Sequence, residues 1–142
     1  MNRNALLRLT VGSKCLKGVT EVSILYPVGI KEKRDFGNIT EVSLHKKNEK
    51  LQVLYLLHGN EGNYSSWIRN TRLALFAQKY PGLLIVMPTI KEFQSFRVNE
   101  PDVSDYYGYI SQELPNYIQK IFPVSEVRED TFIAGILLAP KR

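Results

Sequence analysis

LQVLYLLHG, Leu51–Gly59, is apolar at nearly every position and closes on a glycine. A strand with one wet face alternates apolar and polar residues. A strand covered on both faces has no need to, and such strands belong mostly to parallel sheets flanked by helices. Two more stretches read the same way: LLIVMP, Leu83–Pro88, and TFIAG, Thr131–Gly135. Three buried strands this far apart need helical crossovers between them.

The intervening segments supply those helices. Thr71 to Tyr80 carries apolar residues at 73, 76, 77 and 80, one face of a helix, with Asn70 as N-cap and Pro81-Gly82 as the stop. Asp105 to Phe122 carries them at 107, 110, 114, 117, 118 and 121, with Ser104 as cap and either a kink expected at Pro115 or a first segment ending near Leu114. Upstream, Ala5–Val11 and VTEVSILYP, Val19–Pro27, read as strands. The polar stretch 31–50 reads as a surface connection or hairpin around ITEVSLH, Ile39–His45. The order β, β, β, α, β, α, β predicts an α/β sheet, parallel in its second half.

The chain has 142 residues, 44% hydrophobic and 23% charged, which suits one globular domain. Its net charge of +5 is spread among acids, as in KEKRD and HKKNEK, so a solvated surface is expected and neither nucleic acid nor membrane is the expected partner. No apolar run reaches the length of a membrane span and no secretory signal is read at the start, so the expected location is cytoplasmic. Cys15 is the single cysteine, expected as a half-buried thiol. Two histidines and one cysteine are too few for a zinc site, so neither metal nor other cofactor is expected.

Two stretches go beyond fold class. HGNEGNYSSW, His58–Trp67, has the pattern His-Gly-x-x-Gly-x-x-x-x-Trp directly after a buried strand. DYYGYISQELPNYIQKIFPVSEVREDTFIAG, Asp105–Gly135, contains Glu113-Leu114-Pro115 and a strand ending in Ala134-Gly135. Together they resemble the esterase D family of α/β hydrolases, which includes S-formylglutathione hydrolases and small bacterial tributyrin (acetyl) esterases. The resemblance implies hydrolysis of small acyl esters by a Ser-Asp-His triad. The serine sits on a tight strand-to-helix turn, and two backbone N–H groups receive the oxyanion. It assigns one of those donors to Asn60, with Glu61 as neighbour, and lets Gly59 and Gly62 shape the loop. His58 reads as a structural residue satisfying loop carbonyls. Trp67 either packs beneath the loop or lines the acyl pocket.

The resemblance fails at the next step. The family reads Gly-Leu-Ser-Met-Gly-Gly where this chain reads Gly135-Ile136-Leu137-Leu138-Ala139, so leucine stands at the nucleophile position. No acid or base follows, and no catalytic residue is assigned. The expectation is one incomplete domain over 1–142, the N-terminal half of an α/β-hydrolase fold truncated at the nucleophile-elbow strand, inactive alone. The abrupt loss of similarity suggests an interrupted reading frame. Two alternatives stand beside it: a non-catalytic assembly fragment completing a separate C-terminal half, and, more weakly, a basic nucleic-acid or membrane-surface binder. An open, apolar sheet edge near Gly135 is expected to drive self-association and aggregation.

Overall fold

The structure is a computed structural model that describes residues 2–33, 39–43, 50–57, 72–89 and 105–135. β1 (Asn2–Ser13) and β2 (Gly18–Lys33) form a long antiparallel hairpin in register from Asn2↔Gly29 to Ser13↔Gly18. β3 (Ile39–Ser43) pairs antiparallel with the far end of β2, Gly29–Lys33, so the described parts of the polar 31–50 stretch fit the hairpin of the two arrangements expected there. β2 does not stop at Pro27. That residue lies between the part of β2 paired with Ile85–Pro88 and the part paired with β3, where among the described residues β1 is its only strand neighbour. A residue without an N–H is tolerated there.

β4 (Gln52–Leu57) runs parallel to β5 (Leu83–Pro88) on one side and to β6 (Thr131–Gly135) on the other. The sheet order is β1-β2-β5-β4-β6, with β3 also on β2. The connection from β4 to β5 therefore steps one way across the sheet, and that from β5 to β6 steps back over β4. Parallel crossovers share a right hand, so opposite steps put their helices on opposite faces.

The packing shows this. α1 (Leu73–Ala77) belongs with one core, where Ala77 and Leu73 meet Leu25, Leu56, Ile85 and Met87. The second crossover covers the other face. It starts with α2 (Tyr106–Gly108), widens into a π turn over Tyr109–Glu113 and continues as α3 (Leu114–Ile121). Tyr109, Ile110, Leu114 and Ile118 pack there on Ile24, Val53, Leu84 and Val86. Burying both faces explains why β4 and β5 lack polar alternation.

Several expectations need correction. α1 is shorter than 71–80, and of the proposed face only Leu73 and Ala77 pack inward, while Phe76 and Tyr80 are exposed and their rings meet at a tilt, centroids 5.2 Å apart. Asn70 lies outside the described residues. The later helix is capped by Asp105, whose Oδ1 accepts from Gly108 N at 2.8 Å; Ser104 too lies outside the described residues. Instead of a kink at Pro115, the first segment ends in the π turn at Glu113 and α3 begins at Leu114, the other arrangement the sequence allows. Leu114 N donates to Tyr109 O, five residues back, and Pro115 follows the widened turn. The extra residue re-phases the face, so Tyr106 and Tyr109 are buried and Tyr107 is not. Ile121 is likewise exposed. Finally, β6 is a strand but not a buried one: all five of its residues are exposed, Ile133 at 62%.

Tyr109 also carries an unmet polar group. Its ring is fully buried, and its Oη has no hydrogen-bond partner among the described residues. Burial foremost, then the Glu113 charge, pushes the phenol well above its ordinary range. An unpaired buried hydroxyl costs about 1–3 kcal/mol. Tyr109→Phe is therefore expected to stabilise the fold by about 1 kcal/mol, read as a higher denaturant midpoint at unchanged m-value.

Candidate functional site

β4, β5 and β6 are parallel, so their carboxyl ends meet at one edge of the sheet. Strand order reverses at β4, whose neighbours β5 and β6 are reached by successive crossovers. In open α/β sheets a ligand binds in the crevice beyond the carboxyl ends at such a switch point. Topology alone therefore places the candidate site beyond Leu57 and Gly135, which are register partners. Adjacent strands lie about 4.8 Å apart. The segment opening with His58 and the segment opening with Ile136 thus start side by side.

The spacing there is tighter than an ordinary strand pair permits. A Cβ on Gly135 would sit 2.8 Å from Leu57 Cβ and 3.0 Å from Leu57 O. Glycine at 135 is required by that close approach. The residues proposed from sequence, His58, Gly59, Asn60, Glu61, Gly62 and Trp67, lie outside the described residues, as do Ile136 to Ala139. Their anchors are described, and the fold brings those anchors together.

One further assembly at this end of the sheet was not read from sequence. The β1–β2 turn docks on the π turn through Glu113. Its Oε1 accepts from Ser13 Oγ, and its Oε2 accepts from Lys14 N at 3.1 Å and Cys15 N at 3.5 Å. Asp105 N donates to Cys15 O at 3.0 Å, and Tyr117 Oη donates to Gly12 O at 2.5 Å. This gives the Glu113-Leu114-Pro115 motif a physical meaning. The glutamate ties down a loop about 100 residues earlier, the leucine fills the core, and the proline follows the turn that re-phases the helix.

Cys15 sits in this junction, half-buried and free. Burial first, then the Glu113 and Asp105 carboxylates, raise its pKa, which opposes a nucleophilic thiolate. An open groove lined by Gly12, Lys14, Val19, Asn116, Tyr117 and Lys120 runs beside the junction. It lies at the β1 end of the row, four strands from β6 and so about 19 Å from Gly135. Neither belongs to the switch-point crevice. Among the described residues there is no cluster of potential metal ligands, and no helix is long and apolar enough to cross a membrane.

An antiparallel hairpin leading into a parallel sheet wound on both faces, with its crevice beyond the end of β4, defines the amino-terminal half of an α/β-hydrolase fold. Comparison with known proteins points the same way. An acetyl esterase of Caldicellulosiruptor saccharolyticus is 28% identical over 133 residues, covering 93% of this chain and 46% of that protein. A substrate-bound fluorophosphonate-binding serine hydrolase F of Staphylococcus aureus superposes with a TM-score of 0.70 at 27% identity, over 94% of this chain and 47% of that one. An S-formylglutathione hydrolase from the same organism gives 0.68 and 27%, over 93% and 47%. No family model matches. The chain resembles the esterase D type of α/β hydrolase, within the esterase-type serine hydrolases, and spans about half the length of the relatives it matches.

Proposed function

We propose that this chain is the scaffold and oxyanion-loop half of a hydrolase for short acyl esters, and that it does not cleave esters by itself. The observation that carries this is the Leu57↔Gly135 pairing, which starts the loop and the elbow segment at adjacent strand ends. In a completed site a serine on the elbow attacks the acyl carbonyl while a histidine takes its proton. The oxyanion is then received by Asn60 N–H, beside Glu61, and by the N–H after the serine. Gly59 and Gly62 let the loop approach substrate closely. Trp67 borders the acyl side, and His58 orders the loop rather than moving a proton.

Leu137 holds the nucleophile position in this sequence and has no hydroxyl to activate. An oxyanion loop without a nucleophile stabilises an intermediate that never forms. The lone free Cys15 fits a reducing, cytoplasmic setting. Two readouts test the inactivity. The purified chain is expected to hydrolyse nitrophenyl acetate no faster than buffer and to take no label from a fluorophosphonate probe. Turnover proportional to protein, with label on a serine of this chain, would overturn the reading.

A second reading is favoured by the full exposure of β6. In it the chain is a non-catalytic assembly fragment whose open strand accepts a separate half carrying serine, acid and base. Mixing with such a half would then generate activity that neither polypeptide has alone.

A further inference from the structure

We infer that the outer edge of β6 is a self-association surface, on which a second copy of this chain adds its own β6 antiparallel about a two-fold axis through Ile133. Among the described residues nothing pairs with that edge, and all five strand residues are exposed. The segment TFIAG has no charge and no proline, the devices that usually blunt an edge strand. The opposite edge differs: β1 has Arg3 and Arg8 in its sequence, and Tyr117 from α3 bonds to its end at Gly12.

The sequence of β6 is complementary to itself about Ile133. A two-fold there sets Phe132 opposite the second copy's Ala134, Thr131 opposite its Gly135, and Ile133 opposite Ile133. Each large side chain but the central one meets a small one, so no two rings compete for one place. Phe132 pairs in register with Leu54, which packs in the α1 core, so Phe132 lies on the α1 face; Ile133, beside Tyr55, lies on the other. An aromatic side chain buries roughly 150–250 Å². The uncovered parts of Phe132 and Ile133 come to roughly 400 Å² over two copies, below the roughly 1,000 Å² of a specific contact, so backbone pairing of the two strands has to carry most of the affinity. The dimer is thus expected to be weak and reversible. A net charge of +5 on each copy opposes it, so added salt should tighten it, the reverse of nucleic-acid binding. This pairing stands apart from the ester-hydrolase reading, since any chain with this edge would dimerise alike.

Sedimentation velocity across the micromolar range, at low and moderate salt, gives the first readout: a monomer–dimer equilibrium that shifts toward dimer with salt. Register is read by cross-linking in a Cys15→Ser background. Ile133→Cys should give a disulfide dimer under mild oxidation, and Thr131→Cys should not. Ile133→Lys should abolish the dimer, while Val19→Lys, on an exposed residue of β2, should leave it intact. If Ile133→Lys fails to fold by circular dichroism, the cysteine pair decides. A monomer at every concentration, equal cross-linking at 131 and 133, an open ladder of larger species, or binding only to a complementing half-hydrolase would each overturn the inference.

Discussion

Leu114→Ala should lower stability by about 2–5 kcal/mol, the cost of emptying a core position that cannot fully collapse. Leu114 is fully buried, at the point where the π turn passes into α3, and it packs in the core beneath β4 and β5. The cavity would open beneath the crossover that delivers the chain to β6. Single domains of this size have roughly 5–15 kcal/mol in total, so this change alone consumes a large share. Ile121→Ala is the matched control. Both residues fall on the apolar stripe read from sequence, but Ile121 is exposed, and its replacement should shift stability by less than about 0.5 kcal/mol. Urea unfolding of both variants checks the pair. Equal losses would mean that Ile121 is packed as firmly as Leu114.

Gly135→Ala should cost about 1–3 kcal/mol although residue 135 is exposed. Exposed substitutions are ordinarily neutral. Here the added carbon would lie 2.8 Å from Leu57 Cβ and 3.0 Å from Leu57 O, closer than real Cβ atoms sit. Neither contact is the free end of a flexible side chain, so β4 and β6 must separate. The amides of the Leu57–Gly135 region should then lose hydrogen-exchange protection, while those of β1 and β2, on the far side of β5, keep theirs. An Ala variant as stable as the parent, with unchanged exchange at Leu57, would show that the strands are not held this closely. The same approach bears on function, because the strand ends it fixes are the origins of the oxyanion loop and the elbow.

The amount of fold legible in the sequence follows from which forces are local. β4 and β5 could be read from Leu51–Leu57 and Leu83–Pro88 because burial on both faces suppresses alternation, and parallel pairing followed from that. β6 carries the same signature yet is exposed. Apolar composition records what a strand is suited to contact, whereas burial requires the contact to be present. The helix at 105–122 was visible as periodicity, but one residue inserted at the π turn shifts the phase, so Tyr107 was expected inside where Tyr106 and Tyr109 are found. Phe76 and Tyr80 misled for the opposite reason: periodic spacing defined a face with no partner across it among the described residues. The Glu113 junction was invisible because its acceptor and donors lie about 100 residues apart, and no local pattern links them. At the candidate site the strand ends were legible and their adjacency was not, since only the sheet order puts β6 beside β4.

The most direct test of the central claim is to join residues 1–135 to the portion of the Caldicellulosiruptor saccharolyticus acetyl esterase that lies beyond its match to this chain. If residues 1–135 are the scaffold and oxyanion half of an ester hydrolase, the chimera should hydrolyse short nitrophenyl esters and take one fluorophosphonate label per chain. Both should be lost when the grafted nucleophile is changed to alanine. A chimera that melts cooperatively yet neither turns over ester nor takes the label would contradict the account, because a folded joint would then have been made without a site at the ends of β4 and β6.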